Sequence, residues 1–398
     1  MTMSGKPGDP DVSTHSAFTI DEQKAIEALG QAFAVKTVQP MLSRGGPDGD
    51  SLMVSGILKE AASIGLLAEH GEGMSGTETG IWGTIALSAG PAMSLNLLKN
   101  IAQVCGGISA NFHASGIGNL AAGMFKLNVT GRLAYVMPDF DGLHIMPSLN
   151  NPAVAYKTAS IKGDYSGSGY LIHGDKGFLL QARETSSYII ALPLKTGDTY
   201  SWGVMSIPAS DSSVKIEAGK KQMGIRSAEI IYLNIYNKNI IKQDVILLNN
   251  IDYILLLSAY YLAGIVAILS GIAKGAVASA IKYAGERYQG TKLIIEHPAV
   301  RFLIAESETR ISAVEAMLEH VPKQSHDAKS MLKYASGLKW FGSVQCVQAI
   351  TDSLQVFGGY GYMEDYGMEK RLRDGETLKS LSGSSVVHRH TVMDTMEV

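Results

Sequence analysis

Two cysteines in 398 residues, Cys105 and Cys346, are too few and too far apart for a disulfide framework or a cysteine metal site. Each lies in an apolar helical stretch, so the sequence predicts reduced, buried thiols of the kind found in cytoplasmic proteins. The chain also has no excess of positive charge. Its 34 Lys and Arg stand against 37 Asp and Glu, for a net charge of -3, which argues against nucleic acid as a partner. Met1 to Ser16 has no apolar centre, so it reads as a loose leader and not as a secretory signal. No internal repeat is apparent.

What is present is a hydrophobic content of 46%, enough for a large core divided among two or three domains. Tyr253 to Ala273 carries no charge and has the length of a membrane span. Ser258, Gly264, Ser270 and Gly271 interrupt it, no basic cluster flanks it, and it continues through Lys274, Lys282, Glu286 and Arg287. That pattern predicts a helix buried on all sides in a soluble bundle, with no membrane span.

The texture along the chain changes twice. After the leader, residues 17–133 read as a helical domain, opening with Ile20, Ile26, Leu29, Phe33 and Val35 and continuing through Leu52 to Leu67. Gly45, Gly46, Pro47, Gly71, Gly73 and Gly76 punctuate it. Residues 134–245 read as short strands: Ala153 to Ile161, Gly169 to His173, Ser187 to Pro193, Trp202 to Ile207 and Ile230 to Tyr236, with turn signals between them. Residues 246–398 are helical again, with runs at Tyr253 to Tyr288, Pro298 to His320 and Asp327 to Phe357, and a last helix from about Ser384. The expected class is α+β: an N-terminal helical domain, a central β barrel or sandwich and a C-terminal four-helix bundle.

Within the last domain, Gln355-Val356-Phe357-Gly358-Gly359-Tyr360-Gly361 is followed by Glu369-Lys370-Arg371 and Arg373-Asp374. This closely resembles the signature of the acyl-CoA dehydrogenase family, in which a long helix ends on such a turn ahead of an Arg-Asp pair. Tyr283-Ala284-Gly285-Glu286-Arg287-Tyr288-Gln289, ahead of Pro298, is similar to the family's helix end that offers an Arg to the FAD pyrophosphate across a subunit interface. Gly290-Thr291 stands where the family usually has Phe-Gly. Gly169 to Lys176 resembles the strand pair at the flavin-facing edge, and Asn111 to His113 a stretch lining the acyl pocket. The resemblance runs from Thr19 to Arg389. It implies FAD as cofactor, with Arg287, Gln289, Gln355, Gly358, Gly359 and Ser384 as binding residues. It further implies an acyl-CoA substrate, an electron-transfer flavoprotein or similar acceptor, and a homotetramer or a hetero-oligomer with a homologous subunit.

Departures from the pattern fall on the chemistry. The family's reaction needs a carboxylate to take the α-proton of the thioester. Counting eight residues on from Asp374 reaches Ser382, and counting 26 back from Arg287 reaches Tyr261, so neither usual position holds Glu. The expected ring-contacting strand reads Phe178-Leu179-Leu180, with Leu180 at the place of a hydroxyl, and the expected ring loop reads Val136 to Gly142. A relocated base would be Asp139, Asp141 or His113, although residue type alone favours the bland alternative for each, a solvated turn carboxylate for the two Asp and a satisfied core imidazole for the His. Retention of the positions that serve a neighbour fits a second reading, a non-catalytic or half-site subunit completing a partner's FAD site. A third keeps the flavin but changes the reaction.

Overall fold

The computed structural model describes residues 19–396 other than 41, 43–47, 68–80, 83–90, 140–144, 219–220 and 322–326. The leader, the punctuating residues 45–47, 71, 73 and 76, and Asp141 lie outside the described residues. The first helix, α1 (Ile20–Phe33), begins where Thr19 and Glu22 form a reciprocal capping box. It runs into a π-turn at Ala34–Val38. Helix α2 (Ser51–Ser63) starts at Asp50, whose carboxylate accepts from the Met53 amide at 2.8 Å. Helices α3 (Ala92–Ala102) and α4 (Gly106–Met124) complete the described part of this domain, and α4 is buried on nearly every side. A Cβ on Gly118 would meet the Leu133 carbonyl oxygen at 2.6 Å, so the glycine lets the next strand lie directly on α4.

That strand, β1 (Leu133–Val136), pairs in parallel with β4 (Ser187–Thr196). The sheet also contains β2 (Ile161–Ser166), β3 (Gly169–Gln181), β5 (Thr199–Pro208), β6 (Val214–Ala218), β7 (Glu229–Ile241) and β8 (Ile246–Leu248), in the order β6-β7-β3-β2-β4-β5-β8. It forms no closed barrel among the described residues. A separate apolar core that includes Ile172, Tyr188, Leu194, Ile207 and Leu233 holds it together. The chain between β1 and β2 forms α5 (Ile145–Asn150) and α6 (Pro152–Thr158), where a strand was expected from Ala153. Local chemistry explains the difference: Asn151 accepts from the Ala153 amide at 3.0 Å and Pro152 occupies the first helical turn, a start signal that outweighs the strand-forming texture after it.

The C-terminal bundle is built around α7 (Asp252–Glu286), whose apolar middle is buried inside the protein. Helices α8 (Pro298–His320), α9 (Ala328–Val356) and α10 (Met368–Ser380) pack on it, and α11 (Ser385–Asp394) packs on α9. Both cysteines are free and buried. After α7 the chain makes a two-stranded hairpin, β9 (Tyr288–Gln289) and β10 (Lys292–Leu293), across Gly290-Thr291. Both turn residues have positive φ, +61° and +70°, the geometry that matches the twist of a two-residue hairpin.

Candidate active site

A cavity of about 930 Å³ opens between the sheet and the bundle. Its sheet side is formed by Tyr135 and Met137 to Asp139 after β1, Lys176 to Leu179 of β3, Lys221 to Met223, and Ile230 and Tyr232 of β7. The bundle supplies Tyr261 of α7, Glu376, Thr377 and Ser380 of α10, Leu381 to Gly383, and Val387 of α11. The lining is largely apolar, with a few polar groups distributed over it, the usual make-up of a small-molecule site.

The two positions where the family's Glu is expected meet in this wall. Tyr261 and Ser382 line it together, one from α7 and the other from the loop after α10. Burial pushes the Tyr261 phenol up to about 12, so the phenol is neutral at physiological pH. Ser382 and Gly383 join α10 to α11 with φ of +63° and +103°. Gly383 also leaves space, because a Cβ there would come within 3.2 Å of His388 Nε2.

Strand β3 has a bulge between Lys176 and Leu179, and Phe178 adopts a φ of +52° within it. The extra residue shifts which side chains face the cavity. Phe178, two-thirds exposed and packed on Tyr232, and Leu179 line it, while Leu180 points into the core. Of the strand expected to contact the ring, Phe178 and Leu179 reach the cavity and Leu180 does not. Tyr135 presents a buried hydroxyl with no hydrogen-bond partner at the same wall, and its burial raises the phenol well above its ordinary value.

The Arg-Asp pair of the signature fixes the bundle side. Asp374 is almost fully buried, accepts from the Ile225 amide at 2.6 Å and takes Lys370 Nζ at 2.5 Å. Burial alone would lower the Lys370 ammonium, but Asp374 beside it keeps it charged and raised. Arg373 spans Glu369 and the Met223 carbonyl, and Thr377 Oγ1 accepts from the Gly224 amide at 3.0 Å. These contacts tie α10 to the loop before β7 and so hold the two sides of the cavity at a fixed separation.

Of the predicted bases, Asp139 lines the cavity, its carboxylate 2.8 Å from Lys176 Nζ. His113 does not. It lies in the core behind Tyr261, with Nε2 3.0 Å from the Tyr261 carbonyl and its ring 5.1 Å from the Tyr261 ring. Burial holds its imidazole down to about 4 and hence neutral. Gly264 makes the room, since a Cβ there would overlap His113 Cε1 at 2.1 Å. Asn111 is likewise internal, joining Gly107, Ser227 and Arg183 backbone groups. Glu376, paired with Lys379 at 2.6 Å, is a second carboxylate on the wall that the sequence reading missed. Treating 368–380 as a helix would have placed it on the face shared with Thr377 and Ser380.

The expected cofactor residues divide between two places. Ser384, at the start of α11, adjoins the cavity loop. Arg287, Gln355, Gly358 and Gly359 are exposed away from that cavity, with the Arg287 guanidinium 5.6 Å from the Tyr360 ring. Tyr283 stacks on Phe357 beneath them at 4.3 Å. Gly358 has a φ of +57°, and a Cβ on either glycine would meet nothing, so an approaching group has space beside that backbone. Gln289 is exposed in the neighbouring hairpin, its carbonyl accepting from His297.

The sequence model described as Acyl-CoA dehydrogenase, C-terminal domain, matches residues 263–397. The 3-(aryl)acrylate reductase of Clostridium sporogenes is 27% identical over 60% of this chain and 63% of its own length. The cyclohexane-1-carbonyl-CoA dehydrogenase of Geobacter metallireducens is 24% identical over 61% of this chain and 64% of its own. Residues 263–397 thus carry the C-terminal domain of the acyl-CoA dehydrogenase family, and the chain is similar to members of that family over about 60% of its length. The matches span under two thirds of those relatives' lengths. The family fold extends further: butyryl-CoA dehydrogenase from Megasphaera elsdenii superposes with a TM-score of 0.74 over 95% of this chain and 99% of that one, at 17% identity. Members of the family are oxidoreductases, and relatives of this chain act on acyl-CoA.

Proposed function

We propose that the chain is an FAD-dependent oxidoreductase that introduces the α,β double bond of an acyl-CoA thioester, with Asp139 as the relocated base. The observation that carries this reading is the cavity itself: both usual glutamate positions converge on it, and of the predicted bases in the described structure Asp139 alone reaches its wall. Lys176 holds that carboxylate in place. Its side chain is about half exposed, at 49%, so a proton taken from the substrate α-carbon can pass on to solvent.

The residues present fit FAD. The apolar cavity wall at Phe178, Leu179 and Tyr135 suits a flat ring system, and the unpartnered Tyr135 hydroxyl offers a donor. Arg287 with the unobstructed backbone at Gly358 and Gly359 suits a pyrophosphate, in the arrangement that the family uses across a subunit interface. When bound, FAD supplies the acceptor for the hydride leaving the β-carbon. An electron-transfer flavoprotein or similar protein takes the electrons onward.

The test is the visible spectrum of the purified protein. A flavin band that bleaches with an acyl-CoA, and that persists unbleached in Asp139→Asn, supports this reading; bleaching that survives in Asp139→Asn overturns the base assignment. A second reading, the half-site subunit, is favoured by the exposed aromatic surface beside Arg287, where Tyr288 is 65%, Phe302 65% and Tyr362 79% exposed. It expects a colourless protein that acquires flavin only with a homologous, glutamate-bearing chain.

A further inference from the structure

Away from the cavity lining, a thiol and an amine lie in contact. Cys105 stands at the N-cap of α4, and Lys370 of α10 donates to its sulfur, with Nζ 3.6 Å from Sγ. Both side chains are buried. Ser227 Oγ is 3.7 Å from the same sulfur and donates its own proton to the Asp48 carbonyl oxygen. The thiol therefore donates to Ser227 and keeps a lone pair for Lys370. Lys370 is ion-paired with Asp374, and Asp48 faces it at 3.8 Å through an Oδ1 that is buried without a hydrogen-bond partner. That vacant acceptor beside the ammonium is a place for a small hydrogen-bond donor the size of water or peroxide.

We propose that Cys105 and Lys370 form a redox-sensitive pair that closes to a covalent Sγ–Nζ link when a peroxide oxidises the sulfur. The thiolate, the form that attacks, has the positive end of α4 and the Lys370 ammonium beside it. Its sulfur takes one peroxide oxygen as the O–O bond breaks, giving a sulfenic acid, and the other oxygen leaves as water. Lys370 passes a proton to Asp374, and its nitrogen lone pair attacks the sulfenic sulfur. The S–N bond forms, the S–O bond breaks, and the hydroxyl leaves as a second water with the remaining amine proton. Sulfur has lost two electrons and the peroxide has gained two. Because the ammonium and the carboxylate neutralise each other, no bare charge is left buried. An amine already in contact reacts at an effective concentration that dissolved peroxide does not reach, so the link forms ahead of further oxidation. It ties the first turn of α4 to α10, the helix that brings Glu376, Thr377 and Ser380 to the cavity.

The inference does not depend on the function proposed above. Its test treats the purified full-length protein with hydrogen peroxide, digests it without reductant and maps the peptides by mass. The peptides carrying Cys105 and Lys370 should appear joined, two hydrogens lighter than their sum, and dithiothreitol should separate them. Cys105→Ser and Lys370→Arg should each abolish the joined species, since arginine keeps the charge beside Asp374 but offers no amine. Cys346→Ala should retain it, which distinguishes the link from a disulfide that loses the same two hydrogens. The wild-type map decides the matter even where a variant fails to fold. A Cys105 that only gains oxygen overturns the inference. So does one that stays unmodified at a peroxide dose that oxidises the exposed Met363 and Met393.

Discussion

The exposed turn at Arg287, Gln355 and Gly358 and the cavity at Asp139, Tyr261 and Ser382 belong to one chain but follow different rules. At the turn, the proposed recognition uses a positive charge and backbone left unobstructed by side chains, which depend on a guanidinium and on glycine geometry. Side-chain identity matters little around them. In the cavity, function depends on which side chains meet, and Tyr261 and Ser382 line it together across a gap of more than a hundred residues in sequence. A family pattern read along the chain sees two separate losses there. In space both face one cavity, so the two departures alter the same wall.

The sharpest way to break the comparison is to loosen one region and watch the other. Asp374→Asn leaves Lys370 buried beside a neutral partner, a loss of about 3–5 kcal/mol where an ion pair is broken from one side. The denaturant midpoint should fall accordingly, and binding of acyl-CoA should weaken more than binding of ADP, because α10 supplies Glu376, Thr377 and Ser380 to the cavity wall while Arg287, Gly358 and Gly359 lie outside it. Equal losses of both ligands would mean that the two regions are mechanically one.

Arg287→Ala is the converse perturbation. It removes the cation above Tyr360 and should weaken FAD retention by about ten- to a hundred-fold, the scale of a charge-assisted hydrogen bond, while binding of acyl-CoA stays in place. Titrating the variant with FAD, followed by absorbance or fluorescence, measures the first effect. Unaltered retention would remove Arg287 from the cofactor site.

Lys339 of α9 is nearly fully buried, and burial holds its ammonium down to about 7. Its ammonium donates to the Lys379 carbonyl oxygen at the end of α10, at 3.1 Å. Because the unfolded chain keeps an ordinary lysine pKa, it binds more protons than the folded chain between about pH 7 and the usual lysine range. Stability from this site should therefore rise with pH across that window, and the full cost of charging the group is present below it. Lys339→Met should flatten this part of the profile and be the more stable form near neutral pH, as measured by urea unfolding at a series of pH values. A wild-type profile with no such rise would place the lysine in contact with water.

The fold was largely legible in the sequence because its signals are local or periodic. The uncharged run at Tyr253 to Ala273 proved to be the buried centre of the bundle, and the ends of α8 and α9 fall at or beside the Pro, Asp and Gly that mark them. The region after Ala153 was misread because β-rich texture was weighed above the Asn151-Pro152 start signal. Helix α10 went unrecognised because the eye stopped at the Arg-Asp pair, and with it went the placement of Glu376 on the wall. The cavity was the least legible part. His113 and Asp139 have equal standing as letters, and only packing separates a core imidazole against Gly264 from a carboxylate at an opening. A bulge of one residue then exchanged Leu180 for Phe178 and Leu179, a shift that no alternation pattern announces.

The smallest effect sharpens the comparison at the edge of the exposed region. Thr291 holds a φ of +70° in the hairpin beside Arg287, a left-handed conformation that a β-branched side chain tolerates poorly. Its hydroxyl bonds only the adjacent Gly290 carbonyl, and its own carbonyl accepts from the Tyr288 hydroxyl, a contact that survives any side-chain change. Asn accepts this conformation more readily, so Thr291→Asn should raise stability by about 1 kcal/mol. Because the turn carries Arg287 by its backbone, the same variant should hold FAD as tightly as the parent. A tighter hold would show that the strained hairpin limits the approach of Arg287. A weaker one would show that the Gly290-Thr291 turn, where this chain departs from Phe-Gly, is itself part of the cofactor surface.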